Sequence, residues 1–390
     1  MEISTCVKYV GVNDHQVDLF EGQYKVPNGM SYNSYVILDE KIAVMDTVDG
    51  FFTEEWLNNV EQVLDGKMPD YLVIQHMEPD HSASIPAFLK KYPKATVVST
   101  AKGFQFMEQF FPAFFAEQGL PAEQRIVAVN DGVLELGQHS LHFVYAPMVH
   151  WPEVMMTYEA TEKILFAADG FGKFGALDVE EEWANEARRY YIGIVGKYGP
   201  QVQAVLKKAV GLDIQTICSL HGPVLKENLG FYLEKYDKWS SYQPEESGVV
   251  IAYASVYGNT RNAAEYLADV LQEKGQKTVL YDLARCDKAK AVADAFRYDR
   301  LVLAGITYNG DLFPCMRSFI EGLTERNYQN RKVAIIENGT WAPMAAKLMR
   351  AELDGMKNIT VCDTVVTLRS ASNAAAEAQM DAMVDELLSK

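Results

Sequence analysis

Six consecutive residues, His76-Met77-Glu78-Pro79-Asp80-His81, carry four side chains that bind metals well, and His150, Asp169 and His221 add three more downstream. Imidazoles and carboxylates in that proportion point to a two-metal site. In extended backbone, residues two apart point to the same side, so His76, Glu78 and Asp80 are expected to converge from one loop. Pro79 favours that shape, because the residue before a proline is pushed toward extended conformations, and here it is Glu78. A lone histidine is ordinarily a hydrogen-bonded side chain and nothing more. The His-x-Glu-x-Asp-His run differs, since without a cation several polar groups would converge uncompensated. His15, His139 and His142 lack such context and read as surface or structural residues.

Donor chemistry narrows the metal. Four imidazoles and three carboxylates with no thiolate form a harder set than a structural zinc site has, and suit iron or manganese as well as zinc. Asp169 lies in Phe166-Ala-Ala-Asp-Gly-Phe-Gly172, just after an apolar run, where Gly170 is expected to permit a sharp turn. Capping a turn is the ordinary role of Asp-Gly. As a bridging carboxylate, Asp169 would instead hold two ions roughly 3.5–4 Å apart.

A second constellation lies in the last third of the chain. Ser255-Val256-Tyr257-Gly258-Asn259-Thr260 follows an apolar run and leads straight into a helix-period segment. Hydroxyls and backbone N–H groups at a helix start make an anion site. The loop has no lysine, so it is not the loop of nucleoside triphosphatases, and no GxGxxG argues for a dinucleotide. Neutral donors suit a phosphate monoester such as that of FMN. Thr307-Tyr308-Asn309-Gly310-Asp311 and Asn338-Gly339-Thr340-Trp341-Ala342 follow later apolar runs and should reach the same crevice. There Tyr308 and Trp341 are placed to flank an isoalloxazine ring, although either alone would read as structural.

The elements that must position these residues differ between the two parts of the chain. From Ser247 onward, strands at Val249–Ala254, Lys277–Tyr281, Leu301–Ala304, Val333–Ile336 and Thr360–Val366 alternate with helices, the last over Ala374–Leu388. Near-continuous apolar strands between helices predict a parallel sheet covered on both faces, doubly wound and of flavodoxin size. Residues 1–245 are less regular. Short strands at Tyr35–Leu38, Ala43–Asp46, Leu72–Ile74, Thr96–Val98, His142–Tyr145 and Ile164–Phe166 mix with helices near Glu54–Leu64 and Glu180–Tyr191. That mixture suits two sheets with outer helices. Ser240–Gly248 reads as the linker.

Composition excludes several classes. The 390 residues suffice for two domains. A net charge of -17 argues against nucleic acid as a partner, because phosphate binding needs a basic surface. No apolar run is long enough to span a bilayer and no signal segment opens the chain, so a cytoplasmic protein is expected. Cys6, Cys218, Cys286, Cys315 and Cys362 form no CxxC pair, which argues against a thiolate metal site and a disulfide framework, and they read as reduced core residues.

Taken together, His76-x-Glu78-x-Asp80-His81, His150-Trp151-Pro152, Asp169, His221-Gly222-Pro223 and the Ser255–Thr260 loop resemble flavodiiron proteins, or A-type flavoproteins, along nearly the full chain. The resemblance implies a metallo-β-lactamase-like αββα sandwich over residues 1–245 carrying a non-haem diiron centre, and a flavodoxin-like five-stranded domain over 246–390 carrying FMN. It further implies that His76, Glu78 and His150 bind one iron, that Asp80, His81 and His221 bind the other, and that Asp169 bridges. Trp151, Phe171 and Tyr191 would be walls of the gas pocket. The implied activity is reduction of O2 to water, of NO to N2O, or both, in a head-to-tail homodimer or a dimer of dimers. No rubredoxin segment or flavin reductase domain follows within this chain, so the expected donor is external: rubredoxin or a reduced deazaflavin cofactor. Two rival readings remain at this point. One is a zinc hydrolase of the metallo-β-lactamase superfamily, whose usual run is His-x-His-x-Asp-His; Glu78 speaks against it, because added negative charge favours the higher oxidation state of a redox metal. The other is an electron carrier that uses FMN alone.

Overall fold

Short runs of β-branched and aromatic residues build the first part of the chain. The computed structural model describes residues 3–389, so Met1, Glu2 and Lys390, at the outer ends of the two expected domains, lie outside the described residues. Strands β1 (Val7–Tyr9), β2 (Tyr35–Ile37), β3 (Ala43–Met45), β4 (Tyr71–Val73), β5 (Thr96–Ser99) and β6 (Arg125–Val127) form one sheet in that order. A second sheet is built from β7 (Val133–Glu135), β8 (Ser140–Tyr145), β9 (Met155–Glu159), β10 (Ile164–Phe166) and β11 (Thr216–Cys218), again in order. Side chains of a strand alternate between faces. Accordingly Tyr35, Ile37, Ala43 and Met45 of the first sheet share one apolar core with Leu141, Phe143, Met155, Ile164 and Phe166 of the second. Helix α1 (Thr53–Leu64) buries Trp56, Val60 and Leu64, spaced by four, and Trp56 packs on Phe88 with ring centroids 5.7 Å apart.

Strand direction decides where the functional loops emerge. Strands β3, β4 and β5 run parallel, as do β10 and β11. The segments leaving β4, β10 and β11 carry His76, Asp169 and His221, and the β8–β9 connection carries His150.

The last part of the chain is a parallel sheet of β12 (Glu246–Tyr253), β13 (Thr278–Asp282), β14 (Tyr298–Tyr308), β15 (Arg331–Asn338) and β16 (Ile359–Leu368), in the order β13-β12-β14-β15-β16, with Asp311–Leu312 pairing onto the end of β14. Helices α2 (Asn259–Glu273) and α3 (Ala374–Leu388) pack on one face, where Ala264, Leu267, Met380 and Val384 meet Val249, Ile251, Val302 and Ala334. Strands β14, β15 and β16 extend beyond their apolar runs because polar end residues such as Arg300 and Thr367 continue the ladder. The expected linker is shorter in the structure: Ser240 closes the helix Leu229–Ser240 and Glu246 opens β12. The chain forms two compact units, residues 1–191 with 200–236 and residues 192–199 with 237–390. No helix among the described residues is long and apolar enough to cross a membrane.

Candidate metal centre

The seven candidate donors gather into two groups, His76 with Glu78, His150 and Asp169, and Asp80 with His81 and His221; within each group the ligand atoms lie within 4.8 Å of one another. Glu78 is extended, with φ -58° and ψ 138°, as a residue before proline should be. Its Oε2 lies 3.2 Å from His76 Nε2 and 3.0 Å from His150 Nε2. The expectation that Asp80 continues this extended run is corrected. Pro79, pre-shaped for the first helical position, opens a single helical turn over Pro79–Ser82, which carries Asp80 away from Glu78. Asp80 Oδ2 therefore lies 3.3 Å from both His81 Nε2 and His221 Nε2.

Asp169 stands between the groups. Its Oδ2 is 3.1 Å from His150 Nε2 and 3.5 Å from His76 Nε2, while Oδ1 is 3.5 Å from His81 Nε2. The turn that presents it is not made by a left-handed Gly170. Ala168 and Phe171 take positive φ, 48° and 64°. Gly170 is needed for closeness instead, since a Cβ there would sit 2.9 Å from the Ala167 carbonyl oxygen and 3.1 Å from Met156 Cε.

Partners outside the seven aim the rings, and sequence reasoning missed them. Glu153 Oε1 accepts from His76 Nδ1 at 2.8 Å and from the Met77 N–H at 2.9 Å. The Ser31 carbonyl accepts from His221 Nδ1 at 2.7 Å. Each contact leaves Nε2 facing the site, as second-sphere partners of metal-bound histidines do. An acid buried in an apolar stretch just after His150 was the available signal for Glu153; nothing local marked Ser31.

The aromatic surroundings match expectation only in part. Trp151 stands edge-on to His76, with centroids 5.2 Å apart. Phe171 and Tyr191 pack about Tyr236 instead. The rings against His221 are Phe20, Tyr32 and Tyr190, at 5.4, 6.0 and 5.5 Å.

Burial disfavours charge throughout the cluster. At His150 the Asp169 and Glu78 carboxylates outweigh burial and push the pKa up to about 9. At His81 burial prevails over Asp80, and the pKa falls to about 4. Burial would raise Glu78 and Asp169, yet the flanking imidazoles hold both below the ordinary carboxylate range. A cation fits this set. Both oxygens of Asp80 and both of Asp169 are buried without a hydrogen-bond partner, while His81 Nε2 faces His221 Nε2 at 3.0 Å.

The second unit holds a cleft of about 510 Å³ at the carboxyl ends of its strands, where the strand order reverses between β12 and β14. It is lined by Ser255, Val256, Tyr257, Asn259 and Thr260, by Thr307 to Gly310, and by Asn338 to Ala342, with Ile306 and Ser370 added. Gly258, at φ 92°, caps α2 rather than lining the cleft. Thr260 is buried and accepts from Asn338 Nδ2 at 3.3 Å; Thr307 Oγ1 accepts the N–H groups of Met344 and Ala345. Tyr257 and Trp341, 93% and 80% exposed, leave wide apolar faces at its mouth. A flat heteroaromatic ring would cover them.

Comparison with known proteins accounts for both halves. Residues 30–222 match the family model described as ODP family beta lactamase, and residues 250–386 match a flavodoxin domain. The chain is 28% identical to the anaerobic nitric oxide reductase flavorubredoxin of Vibrio vulnificus, over 90% of this chain and 72% of that one. Among solved structures, the rubredoxin oxygen:oxidoreductase of Desulfovibrio gigas superposes with TM-score 0.91 at 25% identity, covering 99% of this chain and 97% of the other. The flavodiiron protein of Giardia intestinalis superposes with TM-score 0.90 at 27% identity, covering 99% and 95%. A lactamase-like sandwich followed by a flavodoxin-like sheet, aligned end to end with such relatives, makes this chain a member of the flavodiiron protein family.

Proposed function

We propose that the protein reduces O2 to water, NO to N2O, or both, at a non-haem diiron pair served with electrons by FMN. The observation that carries this reading is the set of four carboxylate oxygens, two on Asp80 and two on Asp169, buried among four imidazoles without hydrogen-bond partners. The Vibrio vulnificus relative is named a nitric oxide reductase, and the Desulfovibrio gigas structure an oxygen:oxidoreductase. Glu78 in place of a third clustered histidine favours iron over zinc, since negative charge stabilises the oxidised metal.

In this reading His76, Glu78 and His150 would hold one iron and Asp80, His81 and His221 the other, with Asp169 shared between them. Glu153 and the Ser31 carbonyl keep His76 and His221 turned toward the ions. Phe20, Tyr32, Tyr190 and Trp151 form an apolar surround that limits water at the reacting position. Ser255 and Thr260 at the start of α2 receive the FMN phosphate, and Tyr257, Tyr308 and Trp341 flank the ring. When bound, two ferrous ions with a reduced flavin supply the four electrons that O2 requires, and two of them suffice to couple two NO.

Residues 1–245 act as the diiron domain and 246–390 as the FMN domain. The chain works in the cytoplasm, with five free cysteines suited to a reducing compartment, as a head-to-tail homodimer or a dimer of such dimers. Its electrons come from an external donor, rubredoxin or a reduced deazaflavin cofactor. The deciding experiment measures anaerobic steady-state turnover of each gas with one reduced donor, for the parent protein and Asp169→Ala. Turnover in the parent and its loss in the variant, with FMN retained, is expected. About two zinc per chain and no iron in the purified protein, or undiminished turnover in Asp169→Ala, overturns the reading.

A further inference from the structure

A second group of metal-binding side chains lies at the other end of the sandwich. Cys6 precedes β1, His139 sits in the turn between β7 and β8, and Glu162 in the turn between β9 and β10; their ligand atoms lie within 4.8 Å of one another. Register places them far from the candidate centre. Val7 pairs with Ile37 and Ile37 with Ala43, while Glu159 pairs with Leu141 and Ile164. These residues mark the ends from which β3 runs toward Asp46, whose Oδ1 accepts the Gln75 N–H next to His76, and from which β10 runs toward Asp169.

His139 is prepared as a ligand in the same manner as His76. Its side chain is 5% exposed, and Nδ1 lies 2.8 Å from Asp39 Oδ2, an oxygen that also accepts the His139 backbone N–H at 2.7 Å. A carboxylate at Nδ1 fixes the ring and leaves the Nε2 lone pair directed away from it. Nε2 faces Glu162 Oε1 at 3.8 Å, outside hydrogen-bond reach. The other oxygen of Glu162, Oε2, is buried with no hydrogen-bond partner.

We infer that Cys6, His139 and Glu162 bind a divalent cation of the zinc class, with Asp39 orienting His139. A thiolate and a carboxylate balance the ion's charge, and a neutral imidazole completes three protein ligands of the types that zinc accepts. Bound there, the ion ties the N-terminal segment to two hairpin turns of the second sheet.

The test adds zinc to the iron- and FMN-loaded protein, then measures zinc-edge X-ray absorption and zinc affinity. The expected spectrum has one sulfur neighbour near 2.3 Å and nitrogen or oxygen near 2.0–2.1 Å. The seven-residue centre has no thiolate, so zinc that displaced iron would show no sulfur. Cys6→Ala should abolish the sulfur contribution while iron and FMN contents stay unchanged. Asp39→Asn should weaken zinc roughly 10–100-fold, as for a partner that only orients a ligand. A spectrum without sulfur in the parent protein, or equal zinc affinity in Cys6→Ala, overturns the inference and leaves His139 as a structural bridge between Asp39 and Glu162.

Discussion

His81 and His221 face each other Nε2 to Nε2 at 3.0 Å, and the Ser31 carbonyl claims the Nδ1–H of His221. With its proton on Nδ1, neutral His221 offers a lone pair toward His81. Two imidazoles so aimed are suited to share an ion. His221→Ala should therefore reduce iron from about two toward one per chain while FMN stays bound, since the flavin cleft lies in the other unit. Metal and flavin analysis of the same preparation checks this; two retained irons contradict it.

Glu153 offers a subtler change. Replacing its carboxylate by an amide in Glu153→Gln keeps the volume but weakens the acceptor for His76 Nδ1 and the Met77 N–H. Iron affinity is expected to fall roughly 10–100-fold with the fold intact. Chelator competition measures it, and a parent-like affinity would mean that Glu153 does not orient His76.

At the flavin cleft, Thr260→Val removes a hydroxyl while preserving shape. Loss of a hydrogen bond to a charged phosphate costs about 1.5–3 kcal/mol, and FMN affinity should drop accordingly. Fluorescence titration of flavin-stripped protein gives the answer; unchanged binding would remove Thr260 from the phosphate site.

Head-to-tail pairing has a distinctive signature. Mixing Asp169→Ala with a flavin-deficient Thr260 variant under chain exchange should restore about one quarter of parental turnover, because half of the dimers are mixed and each mixed dimer has one intact pair of sites. Mixtures with no turnover after verified exchange would exclude that arrangement.

The parts that could be read in the sequence are those where one residue type admits few roles. Four of the seven donors stood out because charged and imidazole groups clustered in six residues need compensation, and the structure gathers these four with His150, Asp169 and His221 into two adjoining groups. The doubly wound sheet was legible because strands buried on both faces, such as Val249–Ala252, leave long apolar runs. Three-residue strands such as Val133–Glu135, and the pairing of Val12–Asp14 with Met30–Tyr32, are too short to show a period. Asp80 was misplaced because extended backbone was carried through Pro79, where proline also favours a helix start. Phe20, Tyr32 and Ser31 reach His221 across nearly two hundred residues, and no local pattern announces such a meeting.

The spacing of the donors along the chain has a mechanical consequence. Donors drawn from the His76 turn, the β8–β9 connection and the segments after β10 and β11 would make each bound ion a crosslink between remote loops, comparable in effect to a disulfide. Stripped of iron, the protein should first be cut by proteases around His150 and His221, long before the flavodoxin-like sheet yields.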